Sequence, residues 1–263
     1  MSDTYARVMR ATEGPADRRT TRSRAPRRSG VVRDAASGTP ATADIAVAGS
    51  TPAAAAQAAA ADSPAEVTFA AAVAAFMAGR EALRRRDLVF EDVPAPKRLA
   101  PYATAVAATV RRGEADVAWG RLVLLYDPGG QQGWDGFFRL VAYVRADVEP
   151  EMAADPLLGE VGWSWLAEAL DARVPGYAVP SGTVTRVITE GFGAKQDEVP
   201  LTGFELRASW SPTGPAHEHG SAGTSDLDAL DLPAHIAAWC DCLAAAAGLE
   251  PPGTRALRQP GHG

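Results

Sequence analysis

The spacing of apolar positions changes period along the chain, and each change marks an element. From about Glu66 to Arg86, Phe69, Val73, Phe76 or Met77, and Leu83 recur at helical spacing among alanines and arginines, which predicts an amphipathic helix. Pro94, Pro96 and Pro101 then forbid regular helix, so Leu88–Val93 reads at best as a short extended piece before a rigid loop. From Tyr102 the period falls to two. Tyr102, Thr104, Val106, Ala108 and Val110 alternate with mostly small residues, and Val117–Tyr126 is a second run of β-formers, joined to the first through a turn at Arg111–Asp116. After the loop Asp127–Gly136, a third run sets Phe138, Leu140, Ala142, Val144 and Ala146 on one face. Arg139, Val141, Tyr143, Arg145 and Asp147 fall on the other.

The second half repeats these signals. Asp155 followed by Pro156 is a cap and a first-turn proline, and Leu158, Val161, Trp165 and Ala169 trace a helical stripe to about Arg173. Thr183–Phe192 and Phe204–Trp210 read as strands, and Pro212–Asp231 as a polar, glycine-rich loop. Asp231 and Pro233 then open a last helix with Ile236, Trp239, Cys240 and Leu243 facing inward and Gly248 as its stop. The order is α-βββ-α-ββ-α. It predicts an α+β fold, an antiparallel five-stranded sheet with three helices on one face. This order is similar to that of the type III secretion chaperones and their YbjN-like relatives, which are dimeric protein-binding folds.

Composition confines the fold to part of the chain. Before Glu66 the only aromatic or branched apolar residues of note are Tyr5, Val8, Val31, Val32, Ile45 and Val47, too few to offset ordering entropy. Residues 1–65 are therefore expected to be a disordered Ala/Pro/Arg-rich arm, 66–250 a single domain and 251–263 a flexible tail. The domain, about 185 residues, is large enough to bury a core without disulfides or metal. Charge divides at the same place: the arm carries nine arginines against six acids, while the rest of the chain is acidic and brings the whole to −6. An acidic domain repels phosphate backbones, which argues against nucleic-acid binding by the folded part. Cys240 and Cys242 lie two apart on a helix and diverge, so no disulfide is expected and a reducing, cytoplasmic compartment is. Arg18-Arg19 and Arg27-Arg28 do not make an export signal, because Arg33 and Asp34 interrupt the stretch after them. No segment approaches the length of a membrane span.

Several stretches carry a family resemblance. They are Gly120-Arg-Leu-Val-Leu-Leu-Tyr-Asp-Pro-Gly-Gly, the run from Gly133-Trp-Asp-Gly-Phe-Phe-Arg through Ala146, and Glu149-Pro-Glu-Met-Ala-Ala-Asp-Pro, with Pro94-Ala-Pro96, Arg98–Tyr102, Trp163-Ser-Trp165, Gly182-Thr-Val-Thr and Ala238-Trp-Cys. Over roughly residues 68–250 the chain resembles an actinobacterial family known as domain of unknown function three thousand. The resemblance implies membership and no activity, cofactor or catalytic residue. It also implies gene neighbours encoding uroporphyrinogen decarboxylase and a ribonuclease D-like enzyme, from which a tetrapyrrole-related role is a lead.

No constellation of catalytic or metal-binding residues emerges. The glycine-rich loop from Asp127 to Gly136 lacks the lysine and helix start of a phosphate cradle, so its glycines are expected to serve positive φ angles. Gln131, Gln132 and Trp134 at its tip, with Asp135, suit contact with a partner or ligand. His217 and His219 flank Glu218 in a loop and read as incidental. His235 reads as a surface or interface histidine, Ser164 as a small helix residue and Cys240 as an apolar filler. The outward sheet face gathers Arg139, Tyr143 and Arg145, with Arg121, Trp119, Glu205 and Arg207 on neighbouring strands, residue types that serve a solvated face or an interface. The reading leans away from an enzyme. It favours a non-catalytic protein-binding or chaperone-like module, self-associating, with a homodimer or another protein as partner and no cofactor, metal or membrane. The alternative is an enzyme or accessory protein for a small anionic ligand, built from residues such as Asp135, Arg139, Tyr143 and His235.

Overall fold

Ser63 caps the first helix of the computed structural model, which describes residues 63–249 apart from 84, 216 and 218–225. The expected arm up to residue 62 and the tail from 251 lie outside the described residues. The Ser63 hydroxyl accepts from Glu66 N, the Glu66 carboxylate accepts from Ser63 N, and Pro64 takes the first turn, so α1 spans Pro64–Ala82. It buries Ala72, Phe76 and Gly79.

The sheet has six strands where the sequence predicted five. These are β1 (Leu88–Asp92), β2 (Tyr102–Arg112), β3 (Ala115–Tyr126), β4 (Phe138–Asp147), β5 (Tyr177–Thr189) and β6 (Leu201–Pro212). The additional strand is β1, which pairs antiparallel with β2 from Leu88↔Val110 to Asp92↔Val106. Its five residues are too few to display a period, and the prolines after it mask its end. All pairings are antiparallel, in the order β1-β2-β3-β4-β6-β5. Because the chain crosses from β4 to β5 over helices and returns as β6 between them, β5 becomes an edge.

Two helical pieces make the crossover, α2 (Pro150–Ala154) and α3 (Leu158–Arg173). Asp155 and Pro156 sit in the turn between them, with Asp155 Oδ1 accepting from Leu157 N at 2.8 Å. A short α4 (Leu227–Leu230) precedes α5 (Leu232–Ala246), whose cap Asp231 accepts from Ala234 N at 3.1 Å. Among the described residues no helix is long and apolar enough to cross a membrane.

Strand alternation divides the interior into two clusters. The larger packs α1, α3 and α5 against Val106, Leu122, Leu140, Val144, Leu206 and Trp210, all on the even-numbered face. The smaller lies on the odd face, where Leu99, Ala105, Val123, Leu125, Trp134 and Val141 meet. Segments 93–101 and 127–137 thus cover one half of the odd face.

The stripe expected on α3 is rotated in the structure. Leu158, Gly162, Leu166, Ala169 and Leu170 are buried, Val161 is exposed, and Trp165 is half-buried edge-on to Phe204. The phase is set by a residue without a side chain. A Cβ added to Gly162 would lie 2.2 Å from the Phe204 ring, whereas one on Gly159 would meet nothing within 4 Å. Gly162→Ala is expected to destabilise the domain by about 1–3 kcal/mol through overpacking, and Gly159→Ala to be neutral or mildly stabilising. Denaturant titration of the two variants checks this, and equal effects would refute the close helix–sheet approach.

Candidate functional site

The other half of the odd face is built from two cross-strand rows. Arg121, Tyr143 and Arg207 stand in register across β3, β4 and β6, and Trp119, Arg145 and Glu205 form the adjoining row. Diagonal neighbours in such a ladder lie within reach of aromatic and long side chains. The Trp119 and Tyr143 rings accordingly meet at 5.6 Å between centroids, and the Arg207 guanidinium lies 5.4 Å over the Tyr143 ring. Arg207 also donates to Glu205 at 3.2 Å. Burial beneath these neighbours, then the Glu205 carboxylate that takes its hydrogen bond, pushes the Tyr143 phenol up to about 12. Arg145 is exposed. Arg121 is buried, donates to Pro94 O, and its burial lowers its affinity for a proton. This surface is a preassembled aromatic–guanidinium patch.

The covered half corrects two expectations. Trp134, expected at an open loop tip, is 9 % exposed and packs into the smaller cluster. Arg139 does lie opposite Phe138 and Leu140 as the alternation requires, but at 7 % exposure it does not face solvent. Its guanidinium donates to Ser209 Oγ at 2.8 Å, Ser209 O at 3.2 Å, Val179 O at 3.0 Å and Ser211 Oγ at 3.2 Å. Ser211 in turn donates to Trp134 O, which fastens the loop to the hub. Val179 has φ 49°, a strained value for a β-branched residue, and the bond from Arg139 to its carbonyl holds that conformation.

The loop itself is tied internally. Gln131 donates to Leu99 O at 3.2 Å and to Asp127 Oδ2 at 3.1 Å. Positive φ falls on Gly130, Gly133 and Asp135, and not on every glycine of the stretch. Gln131, Gln132 and Asp135 line an open surface hollow with Gly129, Gly130 and Phe137. His217, read from sequence as incidental, is partly buried with its Nε2 3.2 Å from Asp135 Oδ2. No spacing signal links residues so far apart. Glu218 and His219 lie outside the described residues, and among those described no three His, Cys, Asp or Glu converge as a metal set.

His235 is a third correction. It is fully buried on the helix side of the sheet, where its Nδ1 accepts from Trp210 Nε1 at 3.0 Å. Indole nitrogen only donates, so the ring carries its proton on Nε2. A site joining His235 to Asp135, Arg139 and Tyr143 is therefore divided by the sheet. Cys240 and Cys242 are free and fully buried, and desolvation pushes both thiols far up.

Residues 65–255 match the model of a family described as a protein of unknown function, DUF3000. The chain belongs to that family. The match begins within α1 and takes in all six strands, so the patch and the Arg139 hub are both parts of the DUF3000 domain. No curated protein and no solved structure matches the chain.

Two predictions follow from burial. Trp134→Ala is expected to cost about 3–5 kcal/mol, and Arg139→Glu on the order of 3 kcal/mol or more, while Arg145→Glu leaves thermal unfolding almost unchanged. An unfolding midpoint for Arg139→Glu equal to that of Arg145→Glu would contradict the buried hub. Burial lowers the His235 pKa to about 3 from its ordinary 6.5. The unfolded chain therefore binds a proton that the folded one refuses, and stability present above pH 6.5 is lost as pH falls toward 3. His235→Gln is expected to flatten that loss, measured by denaturant unfolding between pH 7 and 5.

Proposed function

We propose that the domain is a non-catalytic, self-associating protein-binding module whose partner surface is the half of the odd sheet face around Tyr143 and Arg145. The observation that carries this reading is the patch around Tyr143. It lies on sheet strands and sets exposed Arg145 beside half-buried Trp119 and Arg207, residue types enriched at protein interfaces. Exposed Arg145 fits a partner segment bearing a carboxylate, which a guanidinium grips in a planar, directional way.

The alternative reading, a small anionic ligand, rests on the hollow at Gln131, Gln132 and Asp135. It is weaker for two reasons. The hollow is open where ligand sites are enclosed. Arg139, on the same half of the sheet face, already donates to Ser209, Ser211 and Val179.

Affinity capture from the native cell with wild-type protein and a Trp119→Ala, Arg145→Glu double variant tests the proposal. Both side chains are partly or fully exposed, so circular dichroism of the variant is expected to match wild type. Recovery of a stoichiometric protein partner by wild type, reduced at least about tenfold in the variant, is the expected result. Equal recovery by both would remove the partner from this face, and a co-purifying small molecule without a protein would support the alternative.

A further inference from the structure

The two edges of the sheet are guarded very differently. An open edge strand offers unpaired N–H and C=O groups, and proteins blunt it with short length, charge, proline or bulges. β1 has five residues, ends in Glu91 and Asp92, and runs into Pro94. β5 has thirteen residues, and its guards sit at one end, where Pro180 accompanies a shift in register between Ala178 and Ser181. From Ser181 to Thr189 it pairs regularly with β6, with no proline and one charge, Arg186. That charge is drawn toward the helix layer, where Arg186 donates to Asp155 O at 2.9 Å. Exposed apolar side chains flank the same edge, Ile188 on β5 with Val161 on the adjoining α3 and Leu157 just before that helix.

We infer that two copies of the chain pair antiparallel along β5 about a two-fold axis at Thr185, joining their sheets into one of twelve strands. The inference rests on the self-associating part of the proposed function and names the surface responsible. In antiparallel pairing directly opposed residues share a face, so the axis must pass through a residue. An axis at Arg186 sets like charges opposite one another, which is unfavourable. An axis at Val184 drives Ile188 onto Pro180, where regular pairing has ended, and one at Val187 leaves a short overlap. Thr185 is the midpoint of 181–189, and it alone pairs the whole regular stretch. It sets Arg186 against Val184, Thr183 against Val187 and Ser181 against Thr189. It also sets Ile188 of each copy against Gly182 of the other, beside the Trp163 ring that lies over that glycine.

The pairing is self-complementary, which favours a second copy over a foreign strand. A nine-residue strand is about 30 Å long, so with the flanking α3 side chains the contact covers roughly 600 Å² per copy, the lower end of the stable range. The dimer is accordingly concentration-dependent.

The test uses the full chain. Light scattering across a concentration series is expected to show wild type passing from monomer to dimer, and Thr185→Lys, which sets two cations on the axis, to weaken the dimer at least tenfold. Thr185→Cys is expected to give a covalent dimer on mild oxidation, since residues on the axis fall within disulfide reach and the buried Cys240 and Cys242 do not compete. Thr189→Cys, set against Ser181, should not link. Thr185 is exposed, so both variants remain folded by circular dichroism. A wild-type dimer that neither links through Thr185→Cys nor weakens in Thr185→Lys overturns β5 pairing and leaves self-association to another surface. A wild-type monomer at all concentrations overturns self-association itself.

Discussion

The buried guanidinium of Arg139 sets the conditions for half of this domain. A permanently charged group taken out of water must have its donors satisfied, or the fold loses several kcal/mol. The strands supply acceptors from three directions: Ser209 and Ser211 on β6, the Val179 carbonyl on β5, and through Ser211 the carbonyl of Trp134. Each acceptor carries a structural consequence. The Val179 carbonyl is presented only because that residue takes a left-handed conformation, and the strand bulges there. The Trp134 carbonyl is reached only when the loop folds back over the sheet, which brings the indole into the smaller cluster.

Among the described residues no segment beyond 93–101 and 127–137 covers the remaining half of the odd face, and its side chains contact one another. Tyr143 is buried with the Trp119 ring and the Arg207 guanidinium against it, and Glu205 faces both its hydroxyl and Arg207. A patch held by its own contacts needs little reordering on binding, which lowers the entropic cost of association. The phenol is held protonated at neutral pH, and the carboxylate beside it is engaged with a cation and a hydroxyl.

Alternation made the faces of β4 legible from sequence alone: every even residue from Phe138 to Ala146 is in the main core and Arg145 is exposed. It did not reveal which odd residues would be covered, because burial there comes from loops, and a loop's path has no period. Trp134 and Arg139 were misplaced for that reason. The caps were legible in Asp231, and the closing glycine in Gly248, because both act through local backbone geometry. The α3 stripe was misread because its contact with Phe204 depends on Gly162, which an apolar pattern cannot register. The Asp135–His217 pair and the serines around Arg139 join distant parts of the chain and leave no local signal.

The bulge connects the covered half of the sheet with its open edge. Regular pairing of β5 can begin only where the backbone has recovered from Val179, and the conformation of Val179 is fixed by Arg139. The hub therefore fixes where the regular edge starts, at Ser181, and the hairpin end at Thr189 fixes where it stops. Any strand added to that edge inherits this length and hence its midpoint. A charge buried on one face of the sheet, bonded to the edge strand at Val179, thus bears on the register that the edge offers.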